Sequence, residues 1–294
     1  MTDQQQRARA LGRLLVILSA VSWSMAGIFT KGVEADVCTV LFWRGALAAG
    51  MMWGYLSWRD GARAFTDCAR LGWSGWAAAT VGSLATICFI AAFKNTAVAN
   101  VAIIYATVPF AAAAMAWFWM RERPGLATLV ASALCLIGVA VMVSGSAGTP
   151  HLKGDMLAVG MTVLMALMMV IMRRYPERPM TLAVGPISCV QLVIVGWAMS
   201  DPWNVSLFEF VLLAGFGLIH ATAIILLAEG VKRIKAAEAG LLGALEMPLV
   251  PIWGWLILSE IPGMPTIGGG AIVLATLCWY LSLSVVVSAQ PKRV

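Results

Sequence analysis

The chain has 294 residues, of which 61% are hydrophobic and 12% charged, with a net charge of +6 and a mean hydropathy of +0.88. A soluble domain carries about 25% charged residues, so this composition excludes a soluble globular enzyme. The positive charge lies between apolar stretches rather than in one basic face, which argues against a nucleic-acid partner.

Apolar stretches of 18 or more residues recur throughout, each long enough to cross a bilayer as a helix. Ten spans are expected, at 11–30, 36–56, 71–93, 97–119, 125–144, 155–173, 181–199, 207–229, 236–258 and 266–287. They leave no room for a soluble catalytic domain. The first apolar run follows Arg7, Arg9 and Arg13 and lacks a small-residue cleavage site, so it is expected to stay as a span.

In span one, Ser19, Ser22, Trp23, Ala26 and Thr30 make a polar and aromatic stripe. Span two carries Arg44, a charge costing roughly 2.5–3.5 kcal/mol or more at a helix centre. It should face the interior and be paired, and Glu246 and His220 lie at similar depth. Either a structural ion pair with Glu246 or a clamp on a substrate carboxylate fits. Span three has small residues on one face (Gly75, Ala79, Gly82, Thr86), as close helix packing requires.

Span four is a long apolar helix with Pro109 in its middle, ending in Arg121-Glu122-Arg123. On it, Asn100, Ile104 and Thr107 share a face that joins the span-one stripe as a candidate cavity wall. Span six is rich in methionine (Met161, Met165, Met168, Met169, Met172), suited either to lipid contact or to an adaptable site. Span eight holds a lone histidine, His220, more often a hydrogen-bonded core residue than a proton relay. Span nine repeats the pattern of span four, with Pro248 in mid-span, Pro251 and Trp253 beyond it, and Glu260 at its end. Each proline lacks an N–H and clashes with the carbonyl four residues back, here those of Tyr105, Ala244 and Met247. The freed carbonyls need partners or a polar cavity. A healed kink and a bend around substrate both fit.

Glu122 and Glu260 each lie two residues before a proline that opens the next helix, where a carboxylate suits the positive N-terminus. They read as structural. Glu229 and Glu238 flank the cationic turn of Lys232, Arg233 and Lys235 and read as interfacial. The six cysteines, Cys38, Cys68, Cys88, Cys135, Cys189 and Cys278, have no metal or CxxC spacing, and neither metal nor cofactor is expected.

With the N-terminus inside the cell, the inner segments hold most of the Lys and Arg. The outer loops hold only Lys31, Lys94 and Lys153. This bias puts both termini in the cytoplasm. Because five helices is an odd number, residues 1–144 and 155–287 enter the membrane in opposite senses, joined by a link from Ser144 to Pro150. Inverted repeats of this kind build secondary transporters that hold substrate near the midplane. A wide polar or aromatic cavity between the halves is therefore expected.

These features together resemble the drug/metabolite transporter superfamily in its ten-helix EamA-like form. The residues that carry the resemblance are Asn95-Thr96-Ala97, Pro109, Glu122, Gly138, Pro248 and Glu260, with Arg44 and Gly154-Asp155. It covers essentially the whole chain. The resemblance implies an all-α integral membrane protein of two inverted five-helix repeats, without enzymatic activity. It also implies export of small metabolites: amino acids, including aromatic ones in the YddG type, or drugs and nucleosides. The family often has Glu directly before the second proline. Here Met247 intervenes and Glu246 is shifted by one residue, about 100° around the helix.

The candidate substrate-binding residues are thus Ser22, Trp23, Arg44, Asn100, Tyr105, Thr107, His220, Glu246 and Trp253, with Pro109, Pro248 and Pro251 as bends. The partners are a small molecule and the lipid bilayer, in a bacterial inner membrane. No P-loop pattern is present, which argues against an ATP-driven pump. A channel remains an alternative. So does an intramembrane serine hydrolase, on the strength of Gly72-Trp73-Ser74-Gly75 and His220.

Overall fold

The computed structural model describes residues 3–61, 63–121, 125–145, 151–234, 242–243 and 245–289. The sequence readings placed on Glu122, Arg123, Lys235, Glu238, the carbonyl of Ala244 and residues 146–150 lie outside them. All regular structure among the described residues is helical. We number the helices by span: α1a (Asp3–Ser24) and α1b (Ala26–Gly32), α2 (Val37–Asp60), α3 (Gly72–Asn95), α4a (Val98–Tyr105) and α4b (Val108–Met120). There follow α5 (Leu126–Gly145), α6 (His151–Arg174), α7 (Met180–Met199), α8 (Leu207–Val231), α9 (Glu246–Leu258) and α10 (Met264–Ala289). With each broken span counted as one, eight helices are long and apolar enough to cross a membrane, and two shorter apolar helices, Leu249–Leu258 and Met264–Tyr280, lie in α9 and α10.

Local chemistry sets the ends. Asp36 caps α2, accepting from Cys38 N at 2.8 Å and Thr39 N at 3.2 Å. Ser206 and Glu209 form a reciprocal capping box at the start of α8. The doubled proline-to-acid pattern has a backbone counterpart. The residue before each acid, Arg121 and Ser259, is left-handed, with φ 55° in both. A non-glycine residue in this region is uncommon, and finding one at both equivalent positions marks the two stretches as copies.

Two expected spans are interrupted. Span one breaks at Met25, and span four breaks at Ala106–Thr107. Pro109 therefore does not bend a continuous helix, as the sequence suggested. It sits in the first turn of α4b, where a missing N–H is harmless. The Ile104 carbonyl at the break accepts from Thr107 N (3.1 Å), Thr107 Oγ1 (2.7 Å) and Thr162 Oγ1 (3.4 Å). That break is healed by hydroxyls. A further irregularity was not foreseen: α7 opens into a wide turn at Ala183–Ile187, with Gly185 at φ −91°, ψ −106° and Pro186 beside it.

The protein is an all-α membrane protein of ten helices in two inverted five-helix repeats. Its helix neighbours follow a ring in the order α9, α1, α8, α2, α7, α3, α6, α4 and back to α9, with α5 and α10 paired outside it. Adding or subtracting five from every helix number maps this ring onto itself. The seams α2·α7 and α4·α9 map onto themselves, as does the pair α5·α10. Each side of the ring thus draws helices from both repeats. Close crossings explain several glycines: a Cβ on Gly196 would lie 2.6 Å from the Cys38 carbonyl, and one on Gly154 would lie 2.6–2.7 Å from backbone atoms of Asn95 and Thr96. Trp58, Phe118, Leu126, Leu136 and Trp197 are exposed on the outside, where a bilayer would meet them.

Candidate functional site

A cavity lies beside the α4·α9 seam. It is lined by Trp23, Ala26 and Gly27 from the α1 break, Phe89 and Phe93 from α3, Val101, Ala102 and Tyr105 from α4a, and Glu246 and Val250 from α9. Three of the expected site residues, Trp23, Tyr105 and Glu246, meet here. Glu246 is the only charged side chain in the lining, and it forms no hydrogen bond or ion pair among the described residues. The cavity measures only about 10 Å³, room for about one water. The wide hollow expected from the sequence is not found among the described residues; the broken ends α1b and α4a close together over the small cavity instead. Phe93 and Val98 stand within 2.9–3.0 Å of where a Gly27 Cβ would be.

That closure has polar contacts above it. Glu260 follows the C-terminus of α9, and its Oε2 accepts from Val98 N, the first amide of α4a, at 2.8 Å. Its other oxygen pairs with Lys31 at the end of α1b, and both side chains are 23% exposed. Lys94 donates to the Val33 carbonyl at 2.6 Å nearby. Glu260 does serve a helix N-terminus, as the sequence indicated, but the helix is α4a rather than the one that follows it. A wider depression of about 700 Å³, lined by Ala114, Met115, Phe118, Trp119, Arg121 and Leu167, opens at the opposite end of α4.

Arg44 is buried at 4% exposure, but its partner is His220, not Glu246. A terminal guanidinium nitrogen lies 3.0 Å from His220 Nδ1, and the guanidinium sits over the Phe216 ring at 4.9 Å. His220 in turn stacks on Trp23 at 6.4 Å between ring centres. Two buried donors, Arg44 Nε and Trp23 Nε1, have no partner among the described residues. Placing Glu246 and Arg44 at equal depth was not enough to make them meet. Glu246 faces the α4a side of the ring, while Arg44 faces α8.

Asn100 does not line the cavity. It belongs to a buried network centred on Asp155, which is fully buried. Asp155 Oδ1 accepts from Thr96 Oγ1 at 2.6 Å and from Asn100 Nδ2 at 3.1 Å, while Asn100 Oδ1 accepts from Thr266 at 2.6 Å. The network joins α6, α4a and α10. Thr107 closes the α4 break, Ser22 binds its own helix at the Leu18 carbonyl, and the Trp253 indole donates to Ser24 Oγ at 2.9 Å. Pro248 and Pro251 both lie in α9, the first of them in its opening turn.

Of the methionines in span six, Met161 is core and Met169 is exposed, and none lines the cavity. Ser74 is in the first turn of α3, while His220 is engaged by Arg44, so the serine hydrolase pattern is not assembled. Glu229 stands at the end of α8 with Tyr55, Arg59, Lys232 and Arg233 around it. The sequence missed Phe89, Phe93, Val101 and Val250 in the lining, and Lys31 as partner of Glu260. Lys31 and Glu260 occupy the same end of spans one and nine, the one signal that could have joined them.

Ten membrane helices in an inverted pair of repeats, with a small cavity at their broken segments, define a multi-pass membrane protein of transporter architecture. The family profile described as the EamA-like transporter family matches twice, over residues 10–144 and 152–282. The chain belongs to that family and is a transporter of the drug/metabolite type. No curated protein matches it. A crystal structure covering 97% of this chain and 98% of its own is similar, with a TM-score of 0.61 at 17% identity, a likeness of fold alone.

Proposed function

We propose that the protein is a secondary carrier that exports neutral amino acids, aromatic ones favoured, from the cytoplasm across a bacterial inner membrane. Both termini are cytoplasmic, following the Lys and Arg bias. The Lys31–Glu260 end then faces outward and the Trp119 end inward. The units of the inverted repeat are residues 1–144 and 155–287. The structure is read as a state closed to the outside, with the wider depression on the cytoplasmic side. Because the ring alternates between repeats, the bodies that rock are α9–α1–α8–α2 and α7–α3–α6–α4, each built from both halves.

The observation that carries the substrate class is a carboxylate, Glu246, without a partner among the described residues, in a cavity walled by Trp23, Phe89, Phe93 and Tyr105. Glu246 holds the substrate ammonium. The rings and Val101 and Val250 enclose an apolar or aromatic side chain. The unpartnered indole N–H of Trp23 donates to the carboxylate, and Arg44 supplies positive charge one layer behind through His220. A second reading rests on the same lining. An acid among aromatic rings also suits an organic cation such as a drug.

Exchange in proteoliposomes, with and without a pH gradient, separates the readings. Trp, Phe, Met and Thr should drive saturable counterflow, and Glu246→Gln should abolish it. If all four fail while a cationic drug or a nucleoside exchanges, the amino-acid reading is wrong. Flux without saturation or counterflow would instead indicate a channel.

A further inference from the structure

Among the described contacts on the outward side of the cavity, Glu260 makes a direct hydrogen bond across the α4·α9 seam. The residue belongs to the α9 side through Lys31, a neighbour on α1b, and reaches the α4 side through the amide of Val98. Val98 is the first residue of α4a, an eight-residue helix freed from α4b by the break at Ala106–Thr107. The backbones are close at this point: a Cβ on Gly254 of α9 would lie 3.3 Å from the Val98 Cβ. Directly beneath, α1b and α4a line the closed cavity through Gly27, Val101 and Ala102.

We propose that Glu260 is the outward latch of the carrier, holding α4a against α9, and that Lys31 is a positioning residue that aims its carboxylate. This rests on the carrier reading and adds residues that do not contact substrate. The acceptor is suited to the task. A carboxylate on the first amide of a helix makes a charge-assisted bond and meets the positive end of the dipole. The bond is also breakable: a side chain 23% exposed can exchange its partner for water as the seam opens. The break at Ala106–Thr107 lets α4a swing without moving α4b, and the break at Met25 does the same for α1b. Asp155, gripping Thr96 and Asn100, keeps the swinging helix attached to α6 on its own side of the ring.

Two variants remove the same bond from opposite sides. Glu260→Ala removes the acceptor, which Gln would keep as an amide oxygen. Val98→Pro removes the donor at a helix position that tolerates proline, after Ala97, whose φ −66°, ψ 143° suits a residue before proline. The readout is the rate at which an impermeant maleimide, added from outside, labels Ala102→Cys in a background with the six natural cysteines replaced by serine. Either variant should raise that rate about tenfold, as loss of one charge-assisted hydrogen bond predicts. The double variant should label no faster than the faster single, and Lys31→Met should give a smaller rise. An unchanged rate in either Glu260→Ala or Val98→Pro, or rates that multiply in the double variant, overturns the latch. Labelling needs no substrate. A failed amino-acid panel therefore leaves the latch standing, and a silent labelling result leaves the substrate class standing.

Discussion

Replacing Asp155 with alanine should destabilise the protein by about 3 kcal/mol. The carboxylate is fully buried and accepts from the Thr96 hydroxyl at 2.6 Å and the Asn100 amide at 3.1 and 3.3 Å. Truncation leaves the Thr96 hydroxyl without its acceptor and the Asn100 amide with only a long contact to Thr96 Oγ1 at 3.4 Å, a loss of about 1–3 kcal/mol for each donor. Removing a carboxylate from a buried site returns part of that, since the ion no longer has to be desolvated. Asp155→Asn is the control. Its Oδ1 can still accept from both donors, but the Nδ2 that replaces Oδ2 faces the Asn100 amide donor, so the expected cost is about 1–2 kcal/mol, less than that of the alanine variant.

The assay is reversible unfolding of purified protein in mixed micelles by titration with a denaturing detergent. A cycle with Asn100→Ala should show coupling of more than about 1 kcal/mol, since the two residues share one network. Asp155→Ala within about 0.5 kcal/mol of the parent would refute the reasoning. So would Asp155→Asn falling as far as the alanine variant, since its Oδ1 keeps an acceptor for both donors.

Other expectations follow from close contacts. Gly154→Ala drives a methyl into the backbone at Asn95 and Thr96 and should cost about 1–3 kcal/mol or more in the same titration. Gly50→Ala, where nothing lies within 4 Å of the added methyl, should leave stability unchanged or slightly raised. His220→Ala removes the hydrogen-bond partner of the buried Arg44 guanidinium and should cost about 1.5–3 kcal/mol; a melting curve matching the parent would show Arg44 satisfied elsewhere. Trp253→Phe loses one hydrogen bond to Ser24 and should cost about 1 kcal/mol, without altering the apparent affinity for an exchanged substrate.

Length, hydropathy and the doubled proline-to-acid pattern were enough to read ten helices and two inverted repeats, because a bilayer permits few alternatives to an apolar helix. Where helices break was less legible. Pro109 marks a break, but the helix ends four residues earlier, at Tyr105, and the break at Met25 has no proline to announce it. The wide turn at Ala183–Ile187 was announced by Gly185-Pro186, a signal hidden by the uniform apolarity around it. Depth along a span could be counted from sequence, which put Arg44, His220 and Glu246 at one level and left Trp23, Tyr105 and Glu246, the three that line one cavity, unsorted among nine candidates. The angle around each helix could not, and this is why Arg44 was assigned to Glu246 and found on His220. Asn100 was taken for cavity wall for the same reason. Its polarity serves Asp155, an acid placed among the family features but not foreseen as the centre of a network.

The most direct measurement of the central claim is protection of the cavity during exchange. Val101→Cys in a cysteine-free background would be modified by a permeant thiol reagent in proteoliposomes, with and without saturating phenylalanine or tryptophan. The account predicts that modification blocks counterflow, and that the amino acid slows modification by about the fraction of carriers it occupies. Counterflow that continues after complete modification of Val101→Cys, with no protection by any transported amino acid, would contradict it.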